Sequence, residues 1–190
     1  LDDDERHQIG LTYRKHGQET AIAKGHELVS GERKAERVRA WLEFARAHPD
    51  AVVCCWRGGL RSRTAAEWIR DAGVDFEVVE GGFKALRRVV LDTLEHPDDK
   101  EFVILGGRTG SSKTALINEF DWSFDLEAAA HHRGSSFGAY RDPQPSQVTF
   151  ENRLAVGYLR ASDHILLEDE GRNIGSVTIP EPWVTKMRAA

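Results

Sequence analysis

Two short apolar runs, each ended by a glycine-bearing loop and followed at once by a helical pattern, constrain the fold more than anything else in this chain. The first is Ala51-Val52-Val53, which leads through Cys54-Cys55-Trp56-Arg57-Gly58-Gly59 into a helical pattern from Ser62 to Ala72. The second is Phe102-Val103-Ile104-Leu105, which leads through Gly106 to Lys113 into a helical pattern from Ala115 to Phe120. Short apolar runs bounded by turn residues read as buried strands. Between the two lie a further strand, Phe76-Glu77-Val78-Val79, broken by Gly81-Gly82, and a long helix from Phe83 to Glu95 with Leu86, Val89, Val90, Leu91 and Leu94 apolar. Strand, helix, strand, helix at these lengths predicts an α/β fold with parallel strands joined by crossover helices.

The remaining elements are less uniform. Leu1 to His26 is polar and weakly patterned, and reads as short helices and loop. Gly31 to His48 repeats Val38, Trp41, Leu42 and Ala45 at helical spacing and closes at Pro49-Asp50. His96 to Lys100 is a polar interval with a proline, and it divides the chain into domains 1–96 and 97–190. Asp125 to Tyr140 reads mainly as a functional loop. Ser146 to Ala161 is helical, with Phe150, Leu154, Val156, Tyr158 and Leu159 apolar, and His164 to Leu167 is a strand ending in Glu168-Asp169-Glu170. Pro180 to Ala190 has no clear pattern.

Chemistry concentrates in the two loops. Gly58 and Gly59 permit backbone angles that side chains resist, so several N–H groups can converge where the following helix presents its positive end. A sulfur there is favoured as the thiolate, and Arg57 and Arg61 add charge. Cys55 is therefore the candidate nucleophile, placed to meet an anion. Cys54 lies inside the strand run and reads as small core filler. The adjacent pair matches neither a C-x-x-C redox motif nor a zinc pattern.

Gly107-Arg108-Thr109-Gly110-Ser111-Ser112-Lys113-Thr114 nearly satisfies the P-loop pattern G-x-x-x-x-G-K-S/T, with a strand before it and a helix after it. Backbone N–H groups of such a loop cradle phosphates, the lysine neutralises them, and the hydroxyl is suited to Mg²⁺. Ser112 stands where glycine is expected; if that position needs positive φ, it costs about 1–2 kcal/mol. Glu168 and Asp169 are candidates for the acid that partners a P-loop. His131, His132 and Arg133, with Gly134 to Gly138, form a basic, hydroxyl-rich loop suited to touching phosphate or equally to solvent. Adjacent histidines do not face one site and no third ligand has zinc-like spacing, so no metal ligands are assigned.

The chain has 190 residues, 40% hydrophobic and 30% charged, with a net charge of −5. That balance fits a globular protein and excludes whole-molecule attraction to nucleic acid, so a polyanion needs a local basic patch. Arg57, Arg61, Arg63, Arg87, Arg88 and Arg133 are the candidates. With two cysteines, no secretory signal and no membrane-length apolar run, the expected location is the reducing cytoplasm. Leu1 opens the chain without methionine, which reads as a fragment.

Cys55-Trp56-Arg57-Gly58-Gly59-Leu60-Arg61-Ser62 and Val79-Glu80-Gly81-Gly82-Phe83-Lys84-Ala85 resemble the active-site loop and final glycine pair of a rhodanese domain. A P-loop segment following them is unusual. With Asp125-Leu126-Glu127, His132 to Gly138, Gln144-Pro145-Ser146-Gln147, Phe150-Glu151-Asn152 and Glu168-Asp169-Glu170, the whole chain resembles the tRNA 2-selenouridine synthases. The resemblance implies the C-terminal part of a rhodanese-like domain followed by the N-terminal part of a P-loop NTPase-like domain. It implies replacement of the sulfur of wobble 2-thiouridine in tRNA by selenium from selenophosphate, after geranylation of that sulfur by geranyl diphosphate. Cys55 matches the essential cysteine, and Gly107 to Thr114 the P-loop, expected to hold geranyl diphosphate with Mg²⁺ compatible. Phe137 and Trp122 are candidates for lining a prenyl channel. A selenophosphate-supplying enzyme is a compatible partner. A plain sulfurtransferase with a regulatory P-loop domain, and a non-enzymatic nucleotide-binding module, are the alternative readings.

Overall fold

The computed structural model describes every residue except Arg57, Gly58, Thr109 and Ser136. The chain divides into two compact units, Leu1–Phe83 and Lys84–Ala190. The change of unit falls at residues 83/84, before most of the helix that follows, whereas the composition changes at residues 96–97.

The first unit is mostly helical. Helix α1 (Asp3–Leu28) occupies the stretch expected to be short helices and loop, with a single break at Gly17, where φ is 82° and ψ is −176°. Its start is a capping box. The Asp2 carboxylate accepts the Glu5 N–H, and the Glu5 carboxylate accepts the Asp2 N–H. Glu5 is buried and also accepts from Arg33 and Arg37 of α2 (Gly31–Ala47) at 2.9–3.1 Å. α2 ends where Pro49 predicts it. Ala45 of α2, Ile69 of α3 (Leu60–Asp71) and Phe76 form a small core with Trp41, Leu42, Val53 and Val74 against it. Gly73, at φ 90°, ends α3 as a residue with a Cβ could not do easily.

The two strands expected in this unit shrink to one parallel bridge, Val53 with Val78. Val53 donates to the Glu77 carbonyl at 2.8 Å and accepts from Val79 at 3.0 Å. Because Val53 is bridged to a single neighbour, the run Val52 to Trp56 alternates between exposed and half-buried instead of being buried throughout. Cys54 takes an exposed position in that alternation, which corrects its reading as core filler.

The second unit is an α/β layer. Helix α4 (Gly82–Glu95) sends Leu94 and Val90 into its core and leaves Leu86, Val89 and Leu91 exposed. After a 3₁₀ turn at Pro97–Asp99 comes strand β1 (Glu101–Leu105), then α5 (Lys113–Ile117), α6 (Leu126–Ala130) and α7 (Gln147–Arg160). These form the crossover to β2 (His164–Glu168), which runs parallel to β1 in register from Glu101 opposite His164 to Leu105 opposite Glu168. Ile165, Leu166 and Leu167 are all buried, as a continuous apolar run in a covered parallel sheet should be. On α7, Phe150, Leu154 and Tyr158 recur every fourth residue and are buried. Val156 and Leu159 lie off that stripe and are exposed.

β3 (Asn173–Ile174) and β4 (Val177–Thr178) form a short hairpin turning at Gly175, φ 61°. Two glutamines clamp it. Gln144 donates to the Ala130 and Ile174 carbonyls and accepts from the Ser176 N–H, while Gln147 donates to the Thr178 carbonyl and accepts from the Thr178 N–H. The unpatterned tail is helix α8 (Glu181–Ala189), whose Trp183 packs into the core at a tilt to Phe102, 5.1 Å between ring centroids, and edge-on to Tyr158 at 5.5 Å. Among the described residues no helix is long and apolar enough to cross a membrane.

Candidate functional site

The cysteine loop is built by glycines. Gly59 sits at the N-cap of α3 with φ 75°, and its carbonyl accepts the Arg63 N–H at 2.8 Å. On the other side, Gly82 lies against the loop so closely that a Cβ there would be 2.3 Å from the Cys55 carbonyl oxygen, and its φ is 60°. The next residue, Phe83, donates its N–H to that same oxygen at 2.9 Å. The glycine pair therefore pins the backbone of Cys55. Phe83 also stacks on Trp56, with centroids 4.7 Å apart and ring planes within 9°.

The Ser62 Oγ lies 3.5 Å from the Cys55 sulfur and 3.0 Å from the Gly59 carbonyl. Ser62 is buried and has one hydroxyl proton, so it donates to one of these at a time. It is a polar neighbour of Cys55 that spacing alone did not single out. Cys55 is half-buried, and Arg61 and Arg63 are exposed on α3. Arg57 and Gly58, named as anion contacts, lie outside the described residues. Arg133 belongs to the second unit, where its guanidinium lies 4.6 Å from the Tyr140 ring centroid. Arg87 pairs with Glu151 and Asn152 and is mostly buried, which weakens its candidacy as a nucleic-acid contact; Arg88 is exposed.

The second site is the loop between β1 and α5. Gly110 has φ 84°, and Ser112 has φ 61° and ψ 30°, the left-handed conformation that favours glycine. The lysine turns back into its own loop, with Lys113 Nζ donating to the Gly107 carbonyl at 2.9 Å. The Ser111 N–H donates to the Arg108 carbonyl at 3.1 Å. A Cβ at Gly107 would lie 2.9 Å from Ser111 Oγ, which would have to turn aside. Thr109 lies outside the described residues.

Parallel pairing puts Glu168 beside the end of β1, at the start of this loop, while the Asp169 N–H donates to the Leu105 carbonyl at 3.1 Å. Of the two candidate acids, Glu168 is 2% exposed and Asp169 is exposed. Burial raises the Glu168 pKa above the usual carboxylate range, opposed by the Thr114 side chain and the Lys113 charge. Two acids unmarked by spacing join it. Glu127 on α6 and Glu170 after β2 bring one carboxylate oxygen each to within 4.8 Å of one from Glu168. Burial first, then the charges of Glu168, Glu170 and Asp125, push the Glu127 pKa up to about 7. Burial and Glu168 raise Glu170 as well. Over this cluster lies Gly134, where a Cβ would be 2.2 Å from Glu127 Oε1.

The loop from His131 to Tyr140 divides its two histidines. His131, at φ 50°, stacks on Tyr140 at 4.6 Å, whereas His132 is buried with its Nδ1 unpaired. Phe137 is 95% exposed, and Trp122 packs edge-on against Phe120. Ser136 lies outside the described residues.

A parallel α/β unit with a phosphate-type loop after its first strand, a buried acid after its second and a lysine between them defines the second unit as a P-loop domain. Residues 100–190 match the family described as the tRNA 2-selenouridine synthase AAA domain. The chain is 48% identical to a tRNA 2-selenouridine synthase of Marinobacter nauticus over 98% of its own length and 52% of the relative's. It is 47% identical to that of Shewanella halifaxensis, covering 100% of the chain and 53% of the relative. It is also 47% identical to that of Pseudomonas fluorescens, covering 99% and 53%. Over nearly its whole length the chain is similar to tRNA 2-selenouridine synthases, and it spans about half the length of the curated relatives it matches. No solved structure matches it.

Proposed function

We propose that the protein carrying this chain replaces the sulfur of wobble 2-thiouridine in tRNA with selenium. The observation that carries this reading is that one chain holds both a glycine-pinned cysteine and a P-loop, in a sequence similar over nearly its full length to relatives named for that synthase. The cysteine loop is read as the exchange site of a rhodanese-like domain. Cys55 is the soft nucleophile, with Ser62 beside the sulfur and Arg61 and Arg63 facing solvent to meet phosphate.

The P-loop is read as the cradle for geranyl diphosphate. In geranylation the thiocarbonyl sulfur forms a bond to the geranyl carbon as its bond to diphosphate breaks. The diphosphate leaves carrying negative charge, which Lys113 and the loop N–H groups are suited to receive. Selenium of selenophosphate then bonds to the base carbon as the geranylated sulfur departs as geranyl thiol, and water cleaves the selenium–phosphorus bond to release phosphate. This sequence needs no ATP hydrolysis.

The test is mass spectrometry of nucleosides from thiolated tRNA incubated with the full-length protein, selenophosphate and geranyl diphosphate. Wild type yields 2-selenouridine, Cys55→Ser yields none, and Cys54→Ser stays within a few-fold of wild type because its side chain is exposed. An inactive Cys54→Ser beside an active Cys55→Ser assigns the chemistry to the other sulfur.

A further inference from the structure

We infer that Trp56 is a stacking platform that holds a pyrimidine base of RNA, turned out of its own stack, beside the Cys55 sulfur. The inference rests on the reading of Cys55 as the exchange site for a thiolated base, and adds the residue that grips the base. Trp56 follows Cys55 directly and is 60% exposed, although tryptophan is highly buried on average. Its indole lies on the Phe83 ring at 4.7 Å between centroids, with the planes within 9°. One face is taken, and the opposite face opens to solvent.

The ring is braced together with the nucleophile. Phe83 donates its N–H to the Cys55 carbonyl at 2.9 Å, and Gly82 packs so tightly there that a Cβ would lie 2.3 Å from the carbonyl oxygen. The residue that carries the Trp56 ring thus also anchors the Cys55 backbone. Neighbouring Cα atoms are about 3.8 Å apart, so a ring laid on the indole is delivered to the neighbourhood of the sulfur. A base inside a stacked strand cannot offer its 2-position to a protein nucleophile. It has to come out, and an aromatic plane replaces the stacking it gives up. An indole already held on one side receives that ring with little further ordering. Arg61, exposed in the first turn of α3, suits a phosphate flanking the base.

The experiment measures binding of an anticodon stem-loop RNA with 2-thiouridine at the wobble position to the full-length protein. Selenophosphate and geranyl diphosphate are left out, so the outcome does not depend on selenium transfer. A second RNA lacks the base at that one position. Wild type should bind the abasic RNA about tenfold more weakly. Trp56→Ala should bind both RNAs equally, at the abasic affinity, with the same salt slope as wild type because no phosphate contact is lost. Trp56→Phe should stay within about threefold of wild type on the intact RNA. Indole emission should fall when intact RNA binds wild type and fall much less in Trp56→Phe. If Trp56→Ala melts early, the abasic comparison in wild type and the emission change decide, since neither needs that variant. Wild type that binds both RNAs equally or neither, a folded Trp56→Ala protein that still discriminates, Trp56→Phe as weak as Trp56→Ala, or emission unmoved by intact RNA would each overturn the platform. Base discrimination through Trp56 without 2-selenouridine from the complete reaction would overturn the exchange reading instead and leave the platform standing.

Discussion

Ser112 shows how one residue can depart from a motif and keep its geometry. It holds the left-handed conformation at φ 61°. That conformation costs a residue with a Cβ about 1–2 kcal/mol. Ser112→Gly should raise stability in chemical denaturation by up to about 1 kcal/mol, the strain relieved less the entropy glycine loses on folding. Diphosphate affinity should stay within about threefold of wild type, well under the tenfold that 1.4 kcal/mol represents. Tighter binding with unchanged stability would mean that Ser112 leaves this conformation when the loop is empty. The position was readable as an exception from the motif; its backbone angle was not, because serine adopts either conformation. Cys54 was misread for a related reason. Its apolar neighbours signal a strand, but which face is covered depends on how many strands flank it, and Val53 is bridged to one.

At the scale of elements, periodicity identified α2, α3, α4 and α7, and the apolar runs located β1 and β2. It failed at both ends of the chain. α1 has almost no apolar stripe, and its start is set by the Asp2–Glu5 capping box and by the buried Glu5 carboxylate that Arg33 and Arg37 grip from α2. Such an anchor is charged, so a search for apolar spacing passes over it. α8 was hidden by brevity, although Pro182 in its first turn is a start signal and Trp183, Val184 and Met187 are its buried face. The Glu5 anchor predicts an acid-sensitive first unit. Hydrogen bonding from Arg37 outweighs burial and holds the Glu5 pKa down at about 2. The folded value lies below the unfolded one, so the stabilisation is complete above the ordinary carboxylate range and is lost as pH falls from there toward 2. Glu5→Gln should cost about 2 kcal/mol at neutral pH, the scale of hydrogen bonds to charged groups, and should flatten the loss of stability over that acid window. Urea titrations at neutral pH and at two acidic values check it; an unchanged acid limb would show that the pair contributes nothing to the fold.

For the whole molecule, a net charge of −5 forbids general attraction to RNA, and the acids of Glu127, Glu168 and Glu170 add to that balance while gathering around a phosphate-type loop. The two loops were legible because each is contiguous in sequence. The carboxylate cluster was not, because more than forty intervening residues fold between Glu127 and Glu170. The proposed diphosphate handling by the P-loop and selenium transfer at Cys55 are separated by Lys113→Ala. Full-length Lys113→Ala protein should fail to geranylate thiolated tRNA. Given tRNA that is already geranylated, with selenophosphate, it should form 2-selenouridine at a rate within a few-fold of wild type, as nucleoside mass spectrometry would record. A folded Lys113→Ala protein that makes no 2-selenouridine from geranylated tRNA would contradict this assignment.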